Sequence, residues 1–440
     1  MIKERLIKTL SMVLFIAGIV YASYGVSRDK FFLLISSVTL SFVSLIPLWK
    51  KLSWQEIFGL GLLVRVVLII HFPNLSDDLF RFLWDGNLTA EGINVFSNTP
   101  RGLVEQNSGF LNSDYLQLLY DNMNSPDYHT VYPPLNQLIF YISNVVSGEN
   151  VMVGAIVIRC FILLAEMLTI VGLKSLFDHF GIDKKYSLLY VLNPLVILEL
   201  TGNLHFEAFM IVGLVWMLNF LVKQNLWGAA ICMAVAINAK LLPLMFLPVF
   251  IRFLAWKELR LFYSIIISLT LLSFLPFISE VFLLNHSSSL DLYFQKFEFN
   301  AGLFYLIREI GFVLKGYDVI QTVGPILTII SLLTILWISW KNKVNSIEEL
   351  IQKFFWIFLI FLCFSMTVHP WYLSLLILFN VFKPYRFVIA WSLLIYLTYF
   401  TYKTTSYEEN LFLVLVEYLV IFTLHIQEYI SNRSKKVSLE

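Results

Sequence analysis

The chain is short of cysteine and short of charge. Its 440 residues hold three cysteines, and only 14% of them are charged, against about 25% in an ordinary soluble domain. Cys160, Cys232 and Cys363 all fall within apolar segments. They offer neither a disulfide framework nor a metal-ligand spacing, and core packing is their expected role. A glycine-rich phosphate loop, a dinucleotide fingerprint and a Walker motif are all missing, as is a Ser-His-Asp signature in a recognisable setting. These gaps argue against a disulfide-stapled secreted scaffold and against a nucleotide-driven soluble enzyme. The formal net charge of +1 names no partner, because charge is sorted by side of the membrane. No nucleic-acid partner is expected.

What the chain has in abundance is apolar sequence. It is 58% hydrophobic, with a mean hydropathy of +0.77. Apolar runs of membrane-spanning length recur from end to end, which makes it an all-α polytopic membrane protein. The runs fall near 6–24, 31–49, 57–72, 134–146, 151–177, 186–201, 206–222, 226–239, 241–256, 261–284, 319–340, 351–368, 371–382, 387–402 and 411–430. Lys3, Arg5 and Lys8 precede the first run, which is read as a retained helix and not a cleaved signal. If 134–146 lies along the surface and the N-terminus is cytoplasmic, most of the 31 Lys and Arg fall on the cytoplasmic side. This gives about fourteen crossings, within a range of roughly 11 to 14. The expected organisation is a single transmembrane domain over 1–440. It has extra N-terminal helices in 1–56, a large extracytoplasmic loop in 73–133 and a second in 285–318.

The large loop carries the chemistry. Between Pro73 and Tyr132 it has eight acidic residues and two basic ones, Arg81 and Arg101. It opens with Asp77-Asp78 directly after an apolar run, and short surface helices are expected within it. Adjacent carboxylates at a water–membrane boundary can supply a general base. They can equally cap a short helix together with Ser76, and a divalent metal is a third use, supported by no further ligand pattern. Arg81 falls on the same helical face as the pair, either neutralising it, orienting the base or holding an anion. Phe82 and Trp84 read as interfacial anchors. Tyr132-Pro133-Pro134 sets an extended lead into a helix, with Tyr132 a possible substrate contact. Four polar stretches share the outer face: this loop, the second loop, Gly202–His205 followed by Glu207, and the His369-Pro370 turn with Trp371 and Tyr372. Lys240 sits at the outer end of its segment, either snorkelling or binding phosphate. Arg159 and Glu166, seven residues apart in one span, are expected to satisfy each other or their neighbours.

At these residues the chain resembles a known family. Asp77-Asp78-x-x-Arg81-Phe82-x-Trp84-Asp85-Gly86, then Gly92-x-Asn94-x-Phe96, then Tyr132-Pro133-Pro134, is similar to the first-loop signature of GT-C fold glycosyltransferases. The bacterial polyprenyl-phosphate-mannose-dependent mannosyltransferases match best. Asn193-Pro194-Leu195, His205 with Glu207, Lys240-Leu241-Leu242-Pro243 and His369-Pro370-Trp371-Tyr372 follow in the same order. The resemblance runs from about Ile57 to Tyr372. Two departures stand out: Val95 replaces a more usual proline, and Phe82 and Phe96 stand where tyrosine is common.

The resemblance implies a GT-C-like helix bundle in the plasma (inner) membrane. Both termini would be cytoplasmic and the active site extracytoplasmic. It implies inverting transfer of a sugar, mannose first, from a polyprenyl-phosphate donor to a hydroxyl of a glycan or glycolipid acceptor. Asp78 is the first choice for the base and Asp77 the second. Lys240, His205 and His369 are candidates for the donor phosphate. Arg81, Trp84, Asp85, Asn94, Tyr132, Glu207, Trp371 and Tyr372 complete the expected substrate-binding set. No cofactor is expected beyond the lipid-linked donor, no metal ligands are assigned, and a divalent metal stays open. Membrane lipid is a partner, and the oligomeric state is not legible. Another lipid-phosphate sugar, such as glucose or an aminopentose, is the alternative within the class. A lipid or solute transporter is the rival outside it. The long acidic loop, the polar stretches gathered on one face and the lack of inverted repeats stand against a transporter.

Overall fold

The computed structural model describes residues 2–49, 51–106, 109–111, 113–280, 282, 297–403 and 407–437. Among these the chain is helical, and its only strand-like feature is an isolated parallel bridge between Phe299 and Thr367. The helices in order are α1 (Ile2–Val20), α2 (Phe31–Leu45), α3 (Trp54–Val67), α4 (Asp78–Ala90), α5 (Pro100–Gln106), α6 (Asp114–Asn122), α7 (Pro134–Ser147), α8 (Val151–Phe180), α9 (Leu188–Val191), α10 (Glu207–Val222), α11 (Leu226–Ala239), α12 (Leu247–Phe250) and α13 (Trp256–Phe274). Further along the chain come α14 (Gly302–Lys315), α15 (Ile320–Lys341), α16 (Ile347–Phe364), α17 (Leu373–Asn380), α18 (Arg386–Leu394) and α19 (Leu411–Val437).

Among the described residues, five helical stretches are long and apolar enough to cross a membrane: Ile2–Gly25, Val151–Phe180, Trp256–Phe277, Ile320–Lys341 and Leu411–Ser431. This is a polytopic membrane protein. Its remaining apolar runs are shorter or broken, so length alone counts fewer crossings than the expected 11 to 14. The physical causes are local. Asn193-Pro194 interrupts the run at 186–201, where the Asn193 side chain accepts the Leu195 N–H at 3.0 Å and a π-helix, Val196–Gly202, takes over. Pro243 and Pro248 split 241–256 into a 3-10 turn, Leu242–Phe246, and α12. The run at 387–402 ends as a 3-10 helix, Ile395–Lys403. The second expected loop, 285–318, is only partly described. Residues 285–296 lie outside the described residues, and much of the rest is α14, which stops at Gly316 in the left-handed conformation (φ 77°).

The chain gathers into two compact units. One comprises residues 65–179 and 199–296, the other 1–64, 180–198 and 297–440. The first unit contains the acidic loop. That loop does form the expected short helices, α4, α5 and α6. Ser113 caps α6 by accepting the Leu116 N–H at 3.2 Å. Pro134 opens α7 after an extended Pro133. Helices α4 and α7 pack closely at Gly86, where a Cβ would run into the carbonyl oxygen of Phe140. Phe82 stacks on Phe140 at 4.6 Å and meets Tyr132 and Phe206 edge-on. This aromatic core joins α4 to α7 and to the residue before α10.

Candidate active site

The Asp pair sits half-buried at the start of α4. Asp77 occupies the N-cap position, yet its side chain makes no cap hydrogen bond. The Ser76 hydroxyl instead accepts the Asp78 N–H at 3.3 Å. One oxygen of Asp78 accepts from the Asn124 amide at 3.1 Å. Ser76 thus serves the first N–H of the helix, and Asp77 does not cap α4 through its side chain.

The charged residues one and two turns further on are committed inward. Arg81 is 3% exposed. Its Nε donates to Asp85 at 2.8 Å, and its Nη1 donates to the carbonyls of Ser125 and Tyr128 at 3.0 and 2.9 Å. It therefore pairs with Asp85, not with the Asp pair, and pins the 125–128 turn against α4. The other oxygen of Asp85 accepts from Gln137 on α7 at 3.2 Å, and Gln137 also donates to the Tyr132 carbonyl at 3.2 Å. Trp84, expected at an interface or a substrate, is fully buried between Phe110 and Tyr120 inside the loop. Asn94 donates to the Phe277 carbonyl at 2.7 Å and so ties the loop to the turn after α13. Tyr132 stays half-exposed, its ring edge-on to Phe82 and Phe140. Arg81, Trp84 and Asp85 thus shape the loop from inside it, while Asn94 anchors it to the 3-10 turn Leu275–Phe277.

The His205 segment lies in the same unit. After the π-helix the chain bends by 112° into α10. His205 is 3% exposed, with Nε2 3.5 Å from a Glu199 carboxylate oxygen. Asn203 donates to the same Glu199 oxygen at 3.4 Å, and its Oδ1 accepts the Leu75 N–H at 3.3 Å. The His205 segment is thereby hydrogen-bonded to the segment that leads into the Asp pair. Glu207 forms an ion pair with Lys240, and Asn136 of α7 donates to the carbonyl of Ala239, next to Lys240, at 2.9 Å. Of the two expectations for Arg159 and Glu166, that they satisfy each other or their neighbours, the structure shows partners on neighbouring segments. Glu166 binds Arg65, with Nη2 to Oε2 at 2.7 Å, while Arg159 donates to backbone carbonyls.

His369 belongs to the other unit. Its ring stacks on Trp371 at 4.4 Å, meets Tyr372 edge-on at 5.4 Å, and lies 4.9 Å from Phe299. The bridge at Phe299 aligns this turn through Phe299 N–H to Met366 (2.9 Å) and Val368 N–H to Phe299 (2.8 Å). Asn300, in the left-handed region at φ 50°, is gripped next to it. Its N–H donates to both oxygens of Glu409 at 2.9 and 3.1 Å, and its side chain donates to Glu417 at 3.0 Å. Tyr305 also donates to Glu409. Burial pushes the Glu409 carboxyl up to about 7.

Sequence reading took Asn203 only as part of the polar stretch Gly202–His205, and it missed Gln137, Asn300 and Glu409. Each of these three acts through a partner remote in sequence, Asp85 for Gln137 and Glu409 for Asn300, and no local pattern marks it. Among the described residues no group of three or more His, Cys, Asp or Glu is placed to hold a metal ion.

The family model described as alpha-(1->6)-mannopyranosyltransferase, N-terminal domain, matches residues 10–256, more than half of the chain. Alpha-(1->6)-mannopyranosyltransferase A of Corynebacterium glutamicum is 28% identical over 194 residues, covering 43% of this chain and 36% of that protein. Its namesake in Mycobacterium tuberculosis is 27% identical over 194 residues, covering 44% and 35%. Alpha-(1->6)-mannopyranosyltransferase B of C. glutamicum is 26% identical over 165 residues, covering 36% and 26%. The chain thus spans about a third or less of the length of these curated relatives. No solved structure matches it.

Proposed function

The chain belongs to the alpha-(1->6)-mannopyranosyltransferase, N-terminal domain family, and on that premise we propose that it transfers mannose from a polyprenyl-phosphate donor to a hydroxyl of a glycan or glycolipid acceptor. The transfer inverts the anomeric centre and takes place on the outer face of the plasma membrane, with both termini in the cytoplasm. The observation that carries the reading is the half-buried Asp77–Asp78 pair at the head of α4, with the first N–H of the helix served by Ser76.

The acceptor hydroxyl oxygen attacks the anomeric carbon from the face opposite the phosphate. The bond from that carbon to the phosphate oxygen breaks, and polyprenyl phosphate leaves with the electron pair. Asp78 takes the hydroxyl proton as general base. A phosphate leaving group needs no strong acid, so a nearby cation suffices to stabilise its charge. Lys240 is the candidate: its side chain is about a quarter exposed while paired with the almost fully buried Glu207, so a phosphate can approach it. His205 is a second candidate. A groove of about 580 Å³ between α7, α11 and α13, lined by Leu135, Leu138, Ile231, Val235, Leu269 and Phe277, suits an isoprenoid chain. This site is unlike a glycosidase, which needs two opposed carboxyl groups.

The test uses the purified full-length protein with a mannosyl acceptor. The donors compared are beta-linked polyprenyl-phosphate mannose, polyprenyl-phosphate glucose and a nucleotide-linked mannose. The expected outcome is an alpha-linked mannosyl product from the first donor alone. Transfer from the nucleotide sugar in preference to the lipid donor would sink the reading.

A further inference from the structure

Arg159 lies in the first third of α8, fully buried. Its Nε donates to the carbonyl of Thr201 at 2.8 Å, its Nη2 to the carbonyl of Gly202 at 3.1 Å, and its Nη1 to the carbonyl of Ile69 at 2.7 Å. These three carbonyls come from two separate breaks in helical structure. Thr201 and Gly202 close the π-helix before the 112° bend. Ile69 lies in the turn that follows α3. A broken helix leaves carbonyls without their usual N–H partners, and inside an apolar environment each needs another donor. Arg159 supplies donors to both breaks from one rigid group.

The two breaks are the two lead-ins to the site. Ile69 lies eight residues before Asp77, and Gly202 three residues before His205. The contact between Asn203 and the Leu75 N–H repeats the same link one step closer to the site. Between them, Leu204 is held at φ 65°, a region that a branched, non-glycine residue rarely occupies. Such a conformation persists only where the surroundings over-determine it.

We propose that Arg159 is a positioning residue for the transfer reaction: its guanidinium fixes the spacing between the segment bearing Asp77–Asp78 and the segment bearing His205 and Glu207, without itself touching substrate. The inference rests on the mannosyl-transfer reading above. A guanidinium suits the task because its planar fork reaches three acceptors at fixed angles, whereas a lysine ammonium is a compact point charge on a flexible stem. Displacement of a catalytic group by about 1 Å can cost on the order of 10²-fold in rate.

The test compares wild type, Arg159→Lys and Asn203→Ala, all full-length and purified, for thermal melting, kcat and donor KM. Arg159→Lys keeps the buried charge but not the fork. The expected result is a folded protein whose kcat falls about 10- to 100-fold while donor KM changes less than threefold. Asn203→Ala is expected to show the same split to a smaller degree, and it carries the test if Arg159→Lys does not fold. A wild-type kcat in the folded Arg159→Lys protein, or in Asn203→Ala where it alone folds, overturns the proposal. So does a loss explained entirely by the fraction unfolded. Failure of the transfer reading looks different: wild type itself then makes no mannosyl product from the lipid donor.

Discussion

Glu207 and Lys240, separated by 33 positions in sequence, form an ion pair that joins the start of α10 to the residue just after α11. Glu207 is almost fully buried, while the lysine keeps part of its surface. The pair therefore has two jobs that can be separated. Glu207 needs the cation for its own burial, because an unpaired buried charge is costly. On the proposed reading, the exposed part of the lysine side chain meets the substrate anion.

Lys240→Met is accordingly expected to lower stability by about 1–3 kcal/mol and to lower kcat/KM for donor more than for acceptor. The double variant Glu207→Gln with Lys240→Met removes the stranded carboxylate. It is expected to recover most of the melting temperature but none of the donor kinetics. Recovery of both together would assign Lys240 to structure alone.

The buried Trp84 supports a second prediction. With its ring enclosed by Phe110 and Tyr120, Trp84→Ala should cost about 3–5 kcal/mol and Trp84→Phe clearly less. Thermal unfolding of the purified variants measures this. A substrate-binding role without a packing role would instead leave the melting temperature unchanged and raise KM.

Glu409 carries a pH dependence whose sign follows from its environment. Burial is the main cause that lifts its carboxyl from an ordinary 4.5 to about 7; Glu298 adds to the rise, while Tyr305, the Asn300 N–H and Arg308 oppose it. The folded protein thus binds this proton more tightly than the unfolded chain. The contribution to stability is present below about pH 4.5 and is lost as pH rises through about 7. Glu409→Gln mimics the protonated form. Melting temperatures taken across this interval should fall less steeply with pH in Glu409→Gln than in wild type, and equal slopes would contradict the assignment.

The sequence made the helical class and the acidic loop legible because both are written locally. Apolar runs mark the long helices, and Pro133-Pro134 predicted the start of α7 to the residue. Interruptions were harder to read. A run such as 186–201 is mostly apolar, yet Asn193-Pro194 and the π-helix divide it. The Asp pair, Glu207 and Lys240 could be picked out because charge beside an apolar run must be placed or paired. The partnerships could not. Arg65 takes Glu166 across 101 positions, and Arg159 serves carbonyls 42, 43 and 90 positions away. Trp84 misled for a related reason: an aromatic near a membrane edge reads as an anchor until the loop helices that enclose it are known.

The central claim is that Asp78 is the base. The most direct measurement is single-turnover mannosyl transfer at saturating lipid donor by Asp78→Asn, beside wild type and Asp77→Asn. Asparagine keeps the size of the side chain and can still bond Asn124, but it cannot take the acceptor proton. The account predicts that Asp78→Asn folds, binds donor, and loses on the order of 10²- to 10⁴-fold in the transfer step, with Asp77→Asn losing much less. Near-normal turnover in Asp78→Asn would contradict it.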